Sequence, residues 1–110
     1  MNNNTLEVDK IISAWTARVL GDPRLAECLG GVFKLTIEGG QSWIFDCRGI
    51  AHVRQEDGSA ECTVSMSADD LVAIATGTLN PQVAFLQGRL KVKGNPNLAL
   101  RLEALFCGGL

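Results

Sequence analysis

Four cysteines and one histidine are the side chains whose types most readily do covalent or metal chemistry, and their spacing decides whether they can. Cys28, Cys47, Cys62 and Cys107 show no C-x-x-C pair, and His52 completes a plausible zinc set only if all of them join it. No metal site is expected. Cys47 and Cys62 fall on strand positions that alternation turns inward, with nothing basic accompanying them on that face, so they read as small hydrophobes rather than nucleophiles. Cys107, near the end of the chain, is the thiol most ready to react, and His52 sits on the polar face of its strand. An enzyme needs a nucleophile, a base and an oxyanion or metal partner converging in one pocket. The inward positions hold no His, Asp, Glu or Lys, so neither catalysis nor a cofactor is expected. Gln82 and Gln87 remain: as the two ends of one predicted helix, their amides can meet a ligand's polar head, or stand simply as solvated helix ends. The ending Cys107-Gly108-Gly109-Leu110 has the outline of a prenylation box, but glycines replace its aliphatic residues and no polybasic stretch precedes it.

These residues sit in a chain of 110 residues, 46% hydrophobic, with a formal charge of −2 and no basic run. That is one domain, residues 1–110, with enough apolar residues for a core and without the footprint of a nucleic-acid binder. Met1-Asn2-Asn3-Asn4 does not read as a secretion signal, and no segment is long and apolar enough to span a bilayer. Reduced thiols in the cytoplasm are the expectation.

Along the chain, Asn4 with Glu7 reads as a cap, followed by Val8, Ile11, Ile12, Trp15 and Val19 on one helical face. Gly21-Asp22-Pro23 breaks that helix, and Arg24 to Leu29 can add a short turn. Alternation then takes over. Phe33, Leu35 and Ile37 point one way, Gly39-Gly40 signals a hairpin, and Trp43, Phe45 and Cys47 return, with Ile44 left on the polar side. Gly49 permits a bend, Ala51 and Val53 alternate with His52 and Arg54, and Glu56 to Ser59 turn the chain. A fourth strand holds Cys62, Val64 and Met66 inward.

The stretch from Met66 to Asn95 is the most informative. Ser67 with Asp70 makes a capping box, Leu71, Val72, Ile74 and Ala75 follow, and Gly77 ends the helix. Asn80-Pro81 starts another, whose apolar load is Val83, Ala84, Phe85 and Leu86 until Gly88. Leu90 and Val92 then alternate with Arg89, Lys91 and Lys93 as a half-buried strand. Asn95-Pro96 repeats the cap, and Leu98, Leu102 and Leu105 stripe a last helix that stops at Gly108.

Met66-Ser67, Asp70-Leu71, Gly77, Leu79-Asn80-Pro81-Gln82, Ala84-Phe85, Gln87-Gly88, Leu90-Lys91-Val92 and Gly94-Asn95 resemble the sterol carrier protein type 2 domain, over a similarity running from about Val32 to Phe106. The chain lacks the Ser-Lys-Leu type ending of some members of that family. The resemblance implies an α+β fold: a five-stranded, mostly antiparallel (mixed) sheet with helices packed on one face and an apolar tunnel between them. From pattern alone, Phe33, Leu35, Trp43, Phe45, Cys62, Val64, Met66, Leu71, Ile74, Phe85, Leu90, Val92, Leu98 and Leu102 are core; the resemblance turns them, with Gln87, into tunnel-lining residues. The function implied is binding, and transfer, of a fatty acid, acyl thioester, sterol or isoprenoid. The alternative is a non-catalytic accessory or dimerisation subunit that presents a hydrophobic intermediate, such as a quinone precursor, to partner enzymes. A small hydrophobic ligand is the expected partner, with no nucleic acid, and with room for transient membrane contact and for a homodimer.

Overall fold

The computed structural model describes residues 4–106, with side chains from Glu7 onward. The side chain of Asn4, on which the expected cap rests, the thiol of Cys107 and the stop at Gly108 lie outside what is described. The order is α1 (Asn4–Gly21), α2 (Pro23–Leu29), β1 (Val32–Ile37), β2 (Ser42–Asp46), β3 (His52–Arg54), β4 (Cys62–Met66), α3 (Ala68–Ala75), α4 (Pro81–Leu86), β5 (Lys91–Gly94), α5 (Pro96–Arg101) and α6 (Glu103–Phe106). The fold is α+β, and the strands form one mixed sheet in the order β3-β2-β1-β4-β5.

The sheet begins as a hairpin because Gly39, at φ 73°, reverses the chain between β1 and β2. Their antiparallel register sets Phe33 opposite Phe45 and Leu35 opposite Trp43, and the Phe33 and Phe45 rings stack with centroids 4.8 Å apart. After β3 the chain crosses to the far side of β1, where β4 runs parallel to it and pairs antiparallel with β5. A side chain at Gly94 is excluded: its Cβ would lie 2.3 Å from the Glu61 carbonyl oxygen, and φ is +100°.

Helices cover the face that carries Phe33, Leu35, Phe45, Cys62, Val64 and Met66. The predicted stripe of α1, from Val8 through Ile11, Ile12 and Trp15 to Val19, is buried, and α1 packs on α2 and α3. Local chemistry starts each of the other long helices. Asp22 Oδ1 accepts from the backbone N–H groups of Arg24 and Leu25, and Ser67 Oγ accepts from that of Asp70 at 3.1 Å. Asp70 does more than complement a helix dipole, because its Oδ1 also accepts from Arg89 Nε at 3.0 Å and Nη2 at 2.6 Å, tying α3 to the turn between α4 and β5.

Three expectations need correction. The outer face of the sheet is partly covered: Ile44 is 1% exposed, and its Cδ1 lies 3.0 Å from where a Gly58 Cβ would stand. The β3–β4 connection crosses over that face, held by Lys34 Nζ on Asp57 at 2.7 Å and by Glu61 Oε1 accepting the Val32 N–H at 2.9 Å. The last helix is broken at Leu102 into α5 and α6, although Leu98, Leu102 and Leu105 are buried as one stripe. Finally, the apolar load of α4 is mostly outside the core. Only Ala84 is buried, because six helical residues make under two turns and cannot aim four consecutive side chains at one sheet.

Candidate functional site

Among the residues expected to line a tunnel, Phe33, Leu35, Trp43, Phe45, Cys62, Val64, Met66, Leu71, Ile74, Leu98 and Leu102 are buried together in the main core between sheet and helices. Leu90 is buried at its rim and Val92 is half-buried. Phe85 is not inward but 54% exposed, a correction that follows from the shortness of α4. Gln87 is also placed elsewhere: it is exposed, and its Oε1 accepts from Arg89 Nη1 at 3.4 Å.

Phe85, Leu90 and Val92 do meet, in an open groove of about 560 Å³ at the β5 edge of the sheet. Asn80 Oδ1 fixes one wall by accepting from the N–H groups of Gln82 and Val83, so that α4 presents Phe85 and Leu86. Asn95 Oδ1 fixes the other by accepting from the Asn97 N–H, so that α5 and α6 present Pro96, Ala99, Leu100 and Phe106. Leu86 is 82% and Leu100 69% exposed. Three large apolar side chains around one concavity form a patch of the kind that marks a binding surface rather than scattered exposure. Across the groove, Gln82 Nε2 donates to Glu103 Oε1 at 3.2 Å and Oε2 at 3.1 Å.

Sequence reasoning named both helix-end amides, and the one on the groove is Gln82. Leu100, Glu103 and Phe106 are groove residues that the pattern does not single out. The signal was there for Leu100, which is apolar yet off the Leu98, Leu102 and Leu105 stripe, so no packing partner was reserved for it.

A second groove of about 630 Å³ lies between α1, α2 and the β2–β3 connection, lined by Leu20, Ala26, Glu27, Cys47, Arg48 and Ile50 among others. Its thiol is chemically quiet. Burial, helped by the neighbouring Asp46 carboxylate, pushes Cys47 up to about 11, and burial likewise raises Cys62. The Asp46 carboxyl is held low, chiefly by its hydrogen bonds from Arg48. His52 is largely exposed, with Nε2 2.7 Å from Arg54 Nη1. Among the described residues no group of three His, Cys, Asp or Glu side chains stands close enough to hold a metal ion, and no helix is long and apolar enough to cross a membrane. What the molecule offers is apolar concavity, suited to an aliphatic ligand.

A mixed sheet with its helices on one face and an apolar groove at its edge defines a small α+β domain of the hydrophobic-ligand type. Residues 12–107 match the SCP-2 sterol transfer family, and the chain belongs to that family. It is 39% identical over 84 residues to rat (Rattus norvegicus) sterol carrier protein 2, a match that covers 70% of this chain and 15% of that protein. The crystal structure of sterol carrier protein 2 like 2 from Aedes aegypti superimposes with a TM-score of 0.77 at 33% identity, over 91% of this chain and 96% of that one. The palmitated form of the same mosquito protein gives 0.75 at 32% identity, over 90% and 93%.

Proposed function

We propose that this chain is a lipid-binding and lipid-transferring domain that holds the hydrocarbon part of its ligand in the groove between α4, β5 and α5–α6. The observation that carries the reading is the apolar concavity of about 560 Å³ into which Phe85, Leu86 and Leu100 project while still exposed. Its volume falls within the ~300 to 1,000 Å³ of small-molecule sites. An aliphatic chain of about sixteen carbons gains roughly 13 kcal/mol gross on burial, at ~0.8 per methylene. Association costs ~4 to 15 kcal/mol. At the low end of that cost the surplus is about 9 kcal/mol, which is micromolar binding without a specific polar contact. Membership of the sterol transfer family and the palmitated relative support the same ligand class.

In this reading Phe85, Leu90 and Val92 touch the lipid directly, with Leu86, Leu100 and Phe106. The buried set from Phe33 to Leu102 forms the packed wall beneath. The domain is a carrier and not an enzyme, since its buried thiols are held protonated and the groove's polar side chains are one amide and one carboxylate. Free Cys28, Cys47 and Cys62 suit a reducing compartment such as the cytoplasm. Native mass spectrometry of freshly purified protein with organic extraction, followed by titration of the delipidated protein with fluorescent fatty-acid and sterol probes, tests the proposal. Co-purified lipid or saturable probe binding is the expected result; neither appearing would remove it.

A further inference from the structure

We propose that Glu103 makes this groove select a lipid whose polar head is uncharged and carries a hydrogen-bond donor, such as a hydroxyl, over one that ends in a carboxylate. The inference rests on the groove being the lipid site. Among the described lining residues all side chains are apolar except two, Gln82 in the first turn of α4 and Glu103 at the start of α6. These two are the polar side chains that the groove offers to a bound lipid's head. Gln82 already donates to both carboxylate oxygens, which holds Glu103 at the groove without neutralising its charge.

No lysine, arginine or histidine lines the groove. Bases near the groove are engaged elsewhere: Arg89 with Asp70, Lys91 with Glu38 at 3.1 Å, and Arg18, which reaches α6 from α1, with the carbonyl oxygens of Ala104 and Leu105 and outside the lining. Lys93 and Arg101 lie on β5 and α5 but not among the lining residues. A carboxylate head would thus stand beside a like charge with no cation between them, and it has no proton to donate. Like charges a few ångströms apart repel even through water, and more strongly beside an apolar wall. A hydroxyl reverses the account. An ionised carboxylate offers about four lone-pair sites, of which the amide uses one on each oxygen, so about two remain for a donor. An O–H bonded to a carboxylate belongs to the stronger class of hydrogen bonds.

The test compares hexadecanol with palmitate, which share one chain length, at a pH where palmitate is ionised. Equilibrium binding is measured on the wild type, on Glu103→Gln, and on Glu27→Gln as a control for overall charge, each at low and high salt. Wild type should bind hexadecanol about tenfold more tightly than palmitate, and Glu103→Gln should close that gap, mainly by strengthening palmitate. Glu27→Gln should leave the ratio unchanged, and salt should narrow it in the wild type. Equal binding of the two lipids by the wild type, unmoved by salt or by Glu103→Gln, would overturn this inference and leave the lipid-binding reading intact. Binding of neither lipid would remove both. If Glu103→Gln does not fold, Glu103→Ala takes its place beside the salt dependence of palmitate binding to the wild type, and a palmitate affinity that salt does not raise would overturn the inference.

Discussion

Phe45 and Phe85 are the same residue type with opposite roles, and only one of those roles was legible. Phe45 sits on an alternating strand, so its direction followed from period two, and it is fully buried against Phe33. Phe85 sits among four consecutive apolar residues on a helix, where period alone leaves open which one faces the core. The substitutions should separate accordingly. Phe45→Ala should cost ~3 to 5 kcal/mol by creating a cavity. Phe85→Ala, from a half-exposed site, should cost under about 1 kcal/mol in the lipid-free protein, yet weaken lipid binding; denaturant titration and probe binding measure the two effects. A loss of several kcal/mol at Phe85 would mean that its ring is core after all. Charge at the residue scale gives a pH prediction. The Asp46 carboxyl is held below its ordinary 3.8, so it contributes stability that is full above that value and lost as pH falls through the depressed folded one. Asp46→Asn should therefore be less stable than wild type at neutral pH, with the gap closing in acid. A gap that stayed constant down to the acid transition would count against the Arg48 pair as its cause.

Elements were legible where local chemistry defines them. The sequence marks Ser67, Asn80 and Asn95 as caps, and each accepts from the backbone N–H of a residue two or three further on in its helix, because capping is a contact of that short range. Asn80→Ala should cost about 1 kcal/mol, measured by thermal unfolding. Contacts between elements distant in sequence were not legible. Ile44 looked like a misplaced apolar residue on a polar face, and only the path of the β3–β4 connection over the sheet explains it. Gly94 is similar: its need for glycine comes from the Glu61 carbonyl across the strand pair as well as from its own φ. Gly94→Ala should destabilise by more than about 1 kcal/mol, since an alanine there is both strained and clashing. A neutral result would show that β5 can slide away from β4 at low cost, which bears directly on the groove β5 floors.

At the scale of the whole molecule, the periodic pattern identified the apolar residues but could not say which would find a partner within the chain. A helical stripe and a strand face bury each other by long-range packing, and whatever apolar surface is left over becomes visible only once that packing is complete. That remainder includes Leu20, Ile50, Val83 and Phe85, and Leu86 and Leu100 are its most exposed part on the β5 groove, where a ligand that covers them should act on the stability of the entire domain. A lipid present at about a hundred times its Kd stabilises the state that binds it by roughly 2.7 kcal/mol. For a domain near this size that raises Tm by roughly 10 °C or more. The paired substitution Leu86→Gln with Leu100→Gln changes side chains that are mostly in water, so lipid-free stability should move by no more than ~0.5 kcal/mol per site. The ligand-induced rise should nevertheless largely disappear. Thermal unfolding of wild type and the double variant, with and without saturating lipid, reads all four quantities. A double variant that keeps the full rise would put the lipid elsewhere, between the helices and the sheet, and return Phe33, Leu35 and Phe45 to the list of residues that touch it.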